Sequence, residues 1–253
     1  MDEIKKAELK SFARISDLED SPIEGNFDSV HLQAIHAYIF QDSPQHSPGQ
    51  FRPDVKHAWT KNRVLESNGL SYLVPYCRGK FIPKKLTQAL RNLKTPAQVS
   101  AMDATEFSSY LGSLYGDLDY IHPFSEGNSR TLRTFTRLMA RHWGIDLDWS
   151  ASNANAASRD QLYMARDIEV LKRAYPNLSA EYVDSLPDVP ASLDYYQAYN
   201  FGLKLIEHSM TLAQIIKQYV QPQFDAKEKE RVSAKIKVIR DDGGTGKKKR
   251  LKP

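Results

Sequence analysis

Residues 122–133 read His-Pro-Phe-Ser-Glu-Gly-Asn-Ser-Arg-Thr-Leu-Arg. This stretch places a histidine, a carboxylate, a Gly-Asn pair and two arginines within twelve residues. Gly127 and Asn128 tolerate the left-handed backbone of a loop whose N–H groups turn inward. A helix that starts near Ser129 would add its positive end to the same place. The sequence therefore predicts a loop and a helix N-terminus that together bind phosphate.

The ionisable residues of this stretch have complementary roles at a phosphate site. His122 has an unperturbed pKa near neutrality, so its neutral imidazole can accept a proton from an attacking hydroxyl. Glu126 offers a hard oxygen ligand of the kind that holds Mg²⁺ beside phosphates. Arg130 and Arg133 share one face of a helix, which suits two contacts to a polyphosphate. The alternative is a helix N-terminus with a capping Asn and solvated arginines.

The same stretch resembles the signature of the Fic family, H-x-F-x-[DE]-G-N-G-R-x-x-R. It matches at every specified position except the second glycine, which is Ser129 here. Fic proteins transfer part of a nucleotide, most often AMP from ATP, to a Ser, Thr or Tyr hydroxyl of a target protein. The resemblance implies that His122 is the base and that Glu126 binds Mg²⁺. The implied anion hole and nucleotide contacts are Gly127, Asn128, Ser129, Arg130, Thr131 and Arg133, with the two arginines at the β- and γ-phosphates.

Apolar residues on both sides of the motif recur at helical spacing. Asp103 and Glu106 have the pattern of a capping box ahead of the first stripe, and Gly144 can end the second. The stripes comprise Phe107, Leu111, Leu114, Leu118 and Ile121 before the motif, and Leu132, Phe135, Met139 and Trp143 after it. The pattern predicts a helix, an anion-binding loop and a second helix. Fic proteins use the same arrangement.

Most of the remaining chain also has helical periodicity. Asp28 is placed to cap a helix, and residues 159–174 predict another. A long helix is predicted from Tyr196 to Val220, where Pro222 would stop it. The predicted fold class is therefore mainly α, a Fic-type helical bundle with a small β-hairpin flap over the active site.

The flap is assigned to the segment from Ser71 to Pro83. This segment mixes β-forming residues with prolines and Gly79, which suits an edge hairpin. Fic proteins place a flap at about this distance before the motif, where it aligns a target segment by backbone pairing. The resemblance therefore implies that the target protein binds through the flap. The residues expected over the nucleotide or target hydroxyl are Tyr72, Leu73, Val74 and Pro75.

Length and composition limit the domain number and the cellular compartment that the sequence predicts. A chain of 253 residues suits one large domain with an appendage. The single cysteine, Cys77, cannot form an internal disulfide, which favours a reducing compartment. The sequence has no run of 18 apolar residues and no apolar segment at its start, so neither a membrane span nor a Sec signal peptide is predicted. We expect a cytoplasmic protein, with secretion into a host or competitor cell as the alternative.

The net charge of +4 is concentrated near the C-terminus. Residues 225–253 carry eleven Lys or Arg against five Asp or Glu. This basic tail is interpreted as a solvated linker, and nucleic acid could bind only there. Apolar residues alternate from Val232 to Val238, which predicts a strand. The predicted division is a Fic domain with N- and C-terminal helical extensions over 1–224. Residues 225–253 are either a basic tail or the start of a further β-rich domain of a longer protein.

The predicted function is transfer of AMP from ATP to a hydroxyl side chain of a target protein, as a bacterial toxin or effector. Fic proteins are usually restrained by a glutamate within [ST]-x-x-x-E-[GN]. Residues 20–26 nearly match, but Asp20 replaces the hydroxyl residue, and Pro22 places Glu24 in a loop. We therefore expect a small antitoxin-like inhibitor in trans. We also expect the Ser129 hydroxyl to donate to a phosphate oxygen. The alternatives are transfer of another phosphate-containing group, including Doc-like phosphorylation, and a catalytically weak Fic scaffold that acts by binding.

Overall fold

The computed structural model of the chain describes residues 3–56, 59–177, 180–187 and 209–243. Helices dominate these residues, and two strands form an antiparallel hairpin. The helices are α1 (Glu3–Asp20), α2 (Ser29–Phe40), α3 (Ile82–Leu90), α4 (Pro96–Ser100), α5 (Ala104–Ile121), α6 (Asn128–His142), α7 (Ala156–Ala174), α8 (Ala180–Asp184) and α9 (Leu212–Gly243). The strands are β1 (Trp59–Val64) and β2 (Ser71–Tyr76). The predicted fold class, mainly α with a small hairpin, is confirmed.

The core is built around α5. Helices α3, α6, α7 and α9 pack against it, and α1 and α2 cover α6. The side chains of the two predicted stripes are buried, and Phe107, Leu111, Leu132 and Phe135 have no exposed surface. Each such side chain contributes about 1.5–3 kcal/mol when it leaves water. The helix before the motif and the helix after it are therefore fixed by the same apolar core.

The helix ends predicted at Asp28, Asp103 and Gly144 are confirmed. Asp28 caps α2 by accepting a hydrogen bond from the N–H of His31 at 2.9 Å. Asp103 accepts from the N–H of Glu106 at 2.8 Å, and the Glu106 carboxylate accepts from the N–H of Asp103 at 3.0 Å. Gly144, with a φ of 75°, follows α6. These interactions fix where α2 and α5 begin and where α6 ends.

The hairpin is present, but its predicted bounds were wrong. Only β2 lies within residues 71–83, and it pairs with β1, which the sequence interpretation had missed. Residues 65–70 connect the two strands, and within them Gly69 has a φ of 71° and its N–H donates to the carbonyl oxygen of Leu65 at 2.9 Å. Gly79 serves a different purpose, since a Cβ there would lie 2.6 Å from backbone atoms of Asp54. Pro83 belongs to the first turn of α3, where its missing N–H costs no hydrogen bond.

Helix α9 contradicts two predictions about the C-terminal region. It passes through Pro222, which was expected to stop a helix, and it includes residues 232–238, which were expected to form a strand. Residues 226–231, Ala-Lys-Glu-Lys-Glu-Arg, are strong helix formers that sustain the helix beyond the proline, and four alternating residues are too few to override them. The part of the predicted helix at 196–208 and the basic run at 247–250 lie outside the described residues. Helix α9 crosses the boundary at 224, and the two-domain division stays a prediction.

None of the helices in the described ranges combines the length and the apolar character that a membrane span requires.

Candidate active site

His122 forms the carboxyl end of α5. Its backbone is left-handed, with a φ of 46° and a ψ of 63°, and its N–H donates to the carbonyl oxygen of Leu118 at 3.1 Å. This conformation is costly for a residue with a side chain, so surrounding contacts must hold it in place. The turn ends the helix and directs the chain into the loop that precedes α6.

Arg52 supplies those contacts. Its side chain is buried, and its Nε donates to the carbonyl oxygen of His122 at 2.7 Å. Its Nη2 donates to the carbonyl oxygen of Ile121 at 3.2 Å and to that of Cys77, just after β2. The backbone N–H of Arg52 donates to the carbonyl oxygen of Pro123 at 2.8 Å. One buried cation therefore satisfies the last carbonyl groups of α5 and joins them to the hairpin.

The imidazole of His122 is buried and neutral. The ring of Tyr76 stacks on it with a centroid distance of 3.7 Å, and Nδ1 lies 3.8 Å from Oδ1 of Asp119. Burial lowers the pKa of His122 to about 4, although the Asp119 carboxylate favours the protonated ring. Within the described residues, neither ring nitrogen has a hydrogen-bond partner. A neutral imidazole with a free nitrogen can accept a proton at neutral pH.

Gly127 and Asn128 shape the loop after His122. The Asn128 side chain accepts from the N–H of Phe124 at 2.9 Å and donates to its carbonyl oxygen at 2.6 Å. Gly127 has a φ of 79°, and a Cβ there would lie 2.3 Å from the ring of Phe40. The alternative of a capping Asn is wrong, since Gly127 is the N-cap of α6 and Asn128 binds the loop instead. The loop leads into α6 at a helix start whose first N–H groups have no helical partner.

His36 of α2 holds the same loop from the other side. Its Nε2 lies 3.1 Å from the carbonyl oxygen of Glu126, and its Nδ1 accepts from the N–H of Gly49 at 2.9 Å. The ring stacks on Phe124 with a centroid distance of 3.8 Å. Burial lowers the pKa of His36 to about 4, so one ring nitrogen donates while the other accepts. The neutral ring thereby fixes the backbone of Glu126.

Arg130 and Arg133 project from the first turns of α6. Arg130 donates to the hydroxyl of Ser11 in α1 at 2.8 Å, and its guanidinium lies 4.7 Å from the ring centroid of Phe40. Burial lowers the pKa of both arginines. Among the residues that the structure describes, neither arginine forms an ion pair with a carboxylate. Two partly desolvated cations without carboxylate partners favour binding of an anion.

The motif lies at the meeting point of two cavities. The first, of about 190 Å³, contains His122 in its wall. The second, of about 160 Å³, lies beside α1 and is lined by Arg133 together with Phe12 and Trp149. Arg130 lines both cavities. The two arginines therefore extend from the cavity that contains His122 into the second cavity.

The structure brings most of the predicted site residues together. The first cavity is lined by the predicted residues His122, Glu126, Gly127, Asn128, Ser129 and Arg130. Arg133 lines the second cavity. Thr131 is buried instead, and its hydroxyl donates to the carbonyl oxygen of Gly127 at 3.1 Å. Thr131 therefore supports the first turn of α6 from within.

The four predicted flap residues do not line either cavity. The hydroxyl of Tyr72 donates to Asp167 of α7 at 2.8 Å, and Val74 is fully buried. Leu73 is 56% exposed on the opposite face of the hairpin from Tyr72 and Val74, and Pro75 alternates with it onto that face. Contact between these residues and a target protein stays a prediction.

Sequence reasoning missed five residues that line the first cavity. They come from the hairpin and from α7, and they are Lys61, Arg63, Tyr76, Tyr163 and Arg166. The alternation of Trp59, Lys61 and Arg63 along β1, followed by the Asn68-Gly69 turn, could have identified the hairpin residues. The α7 residues carry no local signal, because their position depends on how α7 packs against α5.

Lys61 and Arg63 connect the hairpin to two different parts of the site. The Nζ of Lys61 lies 3.3 Å from Oε2 of Glu126, whose side chain is 58% exposed. Arg63 donates to both carboxylate oxygens of the fully buried Asp167, at 2.7 and 3.0 Å. The first pair is exposed and easily exchanged, whereas the second fixes the hairpin to α7.

The chain is similar to known proteins in both sequence and fold. The Fic/DOC family profile matches residues 26–140, which include the whole motif. The protein adenylyltransferase VbhT of Bartonella schoenbuchensis is 30% identical over 141 residues, covering 55% of this chain and 26% of VbhT. The aligned region therefore spans about a quarter of that relative.

Two crystal structures share the fold. BepC of Bartonella tribocorum with bound AMPPNP has a TM-score of 0.52 at 20% identity, covering 69% of this chain and 80% of BepC. The N-terminal Fic domain of a cell filamentation protein of Bartonella quintana with bound ADP has a TM-score of 0.51 at 20% identity, covering 69% of this chain and 78% of that one.

Replacement of Arg52 should test its structural role. We expect Arg52→Met to lower the free energy of unfolding by about 3 kcal/mol, because buried carbonyl groups of α5 and of Cys77 lose their donor. Urea denaturation measures the change. Arg78→Met is the matched control, since Arg78 pairs with Asp54 at the surface, and it should cost much less. Equal losses in the two variants would contradict the role of Arg52.

The buried histidines predict acid sensitivity. The pKa values of His36 and His122 are about 4 in the folded state against 6.5 for the free side chain. The unfolded chain therefore binds more protons between these values, and stability falls as the pH is lowered from 6.5 to 4. The slope should reach about 1.4 kcal/mol per pH unit for each histidine. His36→Gln should remove about half of it, measured by urea denaturation at several pH values. An unchanged slope would show that His36 does not titrate as described.

Proposed function

Residues 26–140 of this chain belong to the Fic/DOC family, and we propose that the protein transfers AMP from ATP to a Ser, Thr or Tyr hydroxyl of a target protein. One observation carries the proposal. The neutral base His122 and the unpaired cations Arg130 and Arg133 lie at the two ends of one loop and helix start. The names of the relatives support it, since VbhT is an adenylyltransferase and the BepC structure contains an ATP analogue.

His122 acts on the target hydroxyl. The hydroxyl oxygen attacks the α-phosphorus, and the bond from that phosphorus to the β-bridging oxygen breaks, so pyrophosphate leaves. The hydroxyl proton passes to the free nitrogen of His122 during the attack. Burial keeps the ring unprotonated at neutral pH, and Tyr76 holds its plane. The base is therefore ready before the substrates bind.

The loop and α6 bind the triphosphate. The backbone N–H groups of Gly127 to Ser129, at the positive end of α6, face the developing charge on the α-phosphate. Arg130 contacts the β-phosphate, and Arg133 contacts the γ-phosphate in the second cavity. Neither guanidinium has to leave a carboxylate partner within the described residues, so the full charge of both is available to ATP.

Glu126 fits the role of a Mg²⁺ ligand. Its carboxylate is largely exposed at the edge of the first cavity, and its backbone is fixed by His36. Within the described ranges, no three His, Cys, Asp or Glu side chains cluster as a metal site. A cation at Glu126 would be held by this one carboxylate, phosphate oxygens and water. When bound, Mg²⁺ neutralises charge on the phosphates. Lys61 pairs with Glu126 and must release it for that purpose.

The hairpin is proposed to bind the target protein. Its outer face presents Val64 and Leu73, which are 58% and 56% exposed. An extended target segment could add to the hairpin by backbone pairing and cover this apolar surface. Strand β2 is the part of the segment from Ser71 to Pro83 that would contact the target protein.

The position of Glu24 supports the proposal of control by a partner in trans. This residue lies in the loop between α1 and α2, as the sequence predicted, and its side chain is exposed. A small antitoxin-like inhibitor is therefore proposed in place of an intramolecular one. BepC is named as a translocated effector, which supports a toxin or effector role for this chain. The alternative function, Doc-like phosphorylation, is supported only by Ser129, which stands where the Fic signature has glycine.

The position of the transferred label separates the two reactions. Lysate proteins incubated with the enzyme should take up label from ATP marked at the α-phosphate and none from ATP marked at the γ-phosphate. The mass added to a target should equal that of AMP. Uptake of the γ-label alone would overturn AMP transfer and support phosphorylation.

His122→Ala should abolish transfer while leaving the fold and ATP affinity nearly intact. Loss of the proton acceptor should slow transfer about a hundredfold or more. His142→Ala is the control, because His142 packs beside Phe27 away from both cavities. Transfer should be measured with the α-label and ATP affinity by calorimetry. A rate within tenfold of the parent would remove His122 from the role of base.

Arg133→Ala should weaken ATP binding more than ADP binding. A charge-assisted contact to the γ-phosphate contributes about 1.5–3 kcal/mol, so ATP affinity should fall about tenfold or more. Arg141→Ala serves as the control, since Arg141 lies on the same helix and donates to the carbonyl oxygen of Glu19. An equal loss for ADP and ATP would show that Arg133 does not contact the γ-phosphate.

A further inference from the structure

Arg166 is a buried cation that the proposed mechanism does not use. It lies on α7 and is 2% exposed. Its Nε and Nη2 donate to the two carboxylate oxygens of Asp119 at 2.9 and 3.0 Å, and Asp119 is equally buried. This two-bond arrangement satisfies one edge of the guanidinium and leaves Nη1 for another acceptor. The pair joins α7 to the last turns of α5.

That other acceptor is Ser129. Nη1 of Arg166 donates to the hydroxyl oxygen of Ser129 at 2.9 Å. At the opposite end of the pair, Asp119 lies 3.8 Å from Nδ1 of His122. A continuous series of side chains therefore runs from the start of α6 through α7 to the end of α5. It connects the anion-binding loop with the base.

We propose that Arg166 is a positioning residue that sets the Ser129 hydroxyl and, through Asp119, the imidazole of His122 in one fixed arrangement. This inference rests on the proposed AMP transfer. Asp119 attracts a proton on Nδ1 and so favours the tautomer in which Nε2 is the proton acceptor. Arg166 holds Asp119 in the orientation that this requires.

The same arrangement explains why a serine fits where the Fic signature has glycine. A glycine would leave the buried Nη1 of Arg166 without this acceptor, which is costly in a desolvated place. Ser129 accepts that hydrogen bond with a lone pair and keeps its own hydrogen for a phosphate oxygen. Ser129 and Arg166 thus form one functional unit.

The matched control is a second ion pair between the same helices. Arg173 of α7 pairs with Asp117 of α5 at 2.6 Å and with Glu169 at 2.8 Å, away from both cavities. If Arg166 only tied α7 to α5, Arg166→Lys and Arg173→Lys would have similar effects on transfer. A positioning role predicts that only Arg166→Lys affects it.

The first test is a double-mutant cycle on AMP transfer. Ser129→Ala and Arg166→Lys should each lower kcat about tenfold, the effect of one misdirected hydrogen bond. The double variant should lose little more than either single variant, since both changes break the same contact. Arg173→Lys should leave kcat within about twofold of the parent. Losses that multiply in the double variant, or an equal loss in Arg173→Lys, would overturn the proposal.

The second test does not depend on transfer activity. NMR shifts of the His122 ring nitrogens at neutral pH should show a proton on Nδ1 in the parent. Asp119→Asn should produce a mixture of tautomers, whereas Asp117→Asn should not. If Asp119→Asn fails to fold, the neutral pair Asp119→Asn with Arg166→Gln replaces it. A parent without AMP transfer would overturn the proposed function alone, whereas an unchanged tautomer in these variants would overturn the positioning role.

Discussion

The buried guanidinium of Arg52 is the interaction on which the rest of the site depends. Helix α5 ends inside the protein, where its last carbonyl groups cannot reach water, so a buried donor must satisfy them. Arg52 donates to His122 and Ile121 and, in the same plane, to Cys77 after β2. A lysine could not reach three carbonyl groups from one fixed head group. The left-handed turn at His122 and the attachment of the hairpin therefore share a single support.

The site separates its cations into two groups by their partners. Arg166 and Arg63 are each paired in a two-bond arrangement with a buried carboxylate, Asp119 or Asp167. Although burial opposes the charge, these carboxylates raise the pKa of both arginines, so the arginines stay charged and immobile. Arg130 and Arg133 have no such partner within the described residues, and burial is the main reason that their pKa values are lowered. The paired arginines therefore hold α5, α7 and the hairpin together, whereas the proposed function assigns anion binding to the unpaired ones.

The local part of this arrangement could be predicted from sequence, and the long-range part could not. The stripes of α5 and α6, the capping box at Asp103 and the loop at Gly127 follow from residues close together in the chain. Only half of the hairpin was predicted. Strand β2 lies in the predicted segment with Pro75 and Gly79, whereas β1 and the Asn68-Gly69 signal between the strands were missed. Arg166 lies more than thirty residues after the motif, and only the packing of α7 on α5 places it beside Ser129. The prediction that Pro222 ends a helix was wrong, because the free energy lost with one backbone hydrogen bond is smaller than the helix propensity of the residues that follow.

The two faces of the hairpin have different surroundings. Its inner face is fixed by the Arg63–Asp167 pair, by the hydroxyl of Tyr72 on the same carboxylate, and by the stacking of Tyr76 on His122. A shift of this face would move the base. The outer face, with Val64 and Leu73, contacts none of these groups, since side chains alternate along a strand. Substitutions on the outer face can therefore be made while His122, the loop and the paired arginines keep their geometry.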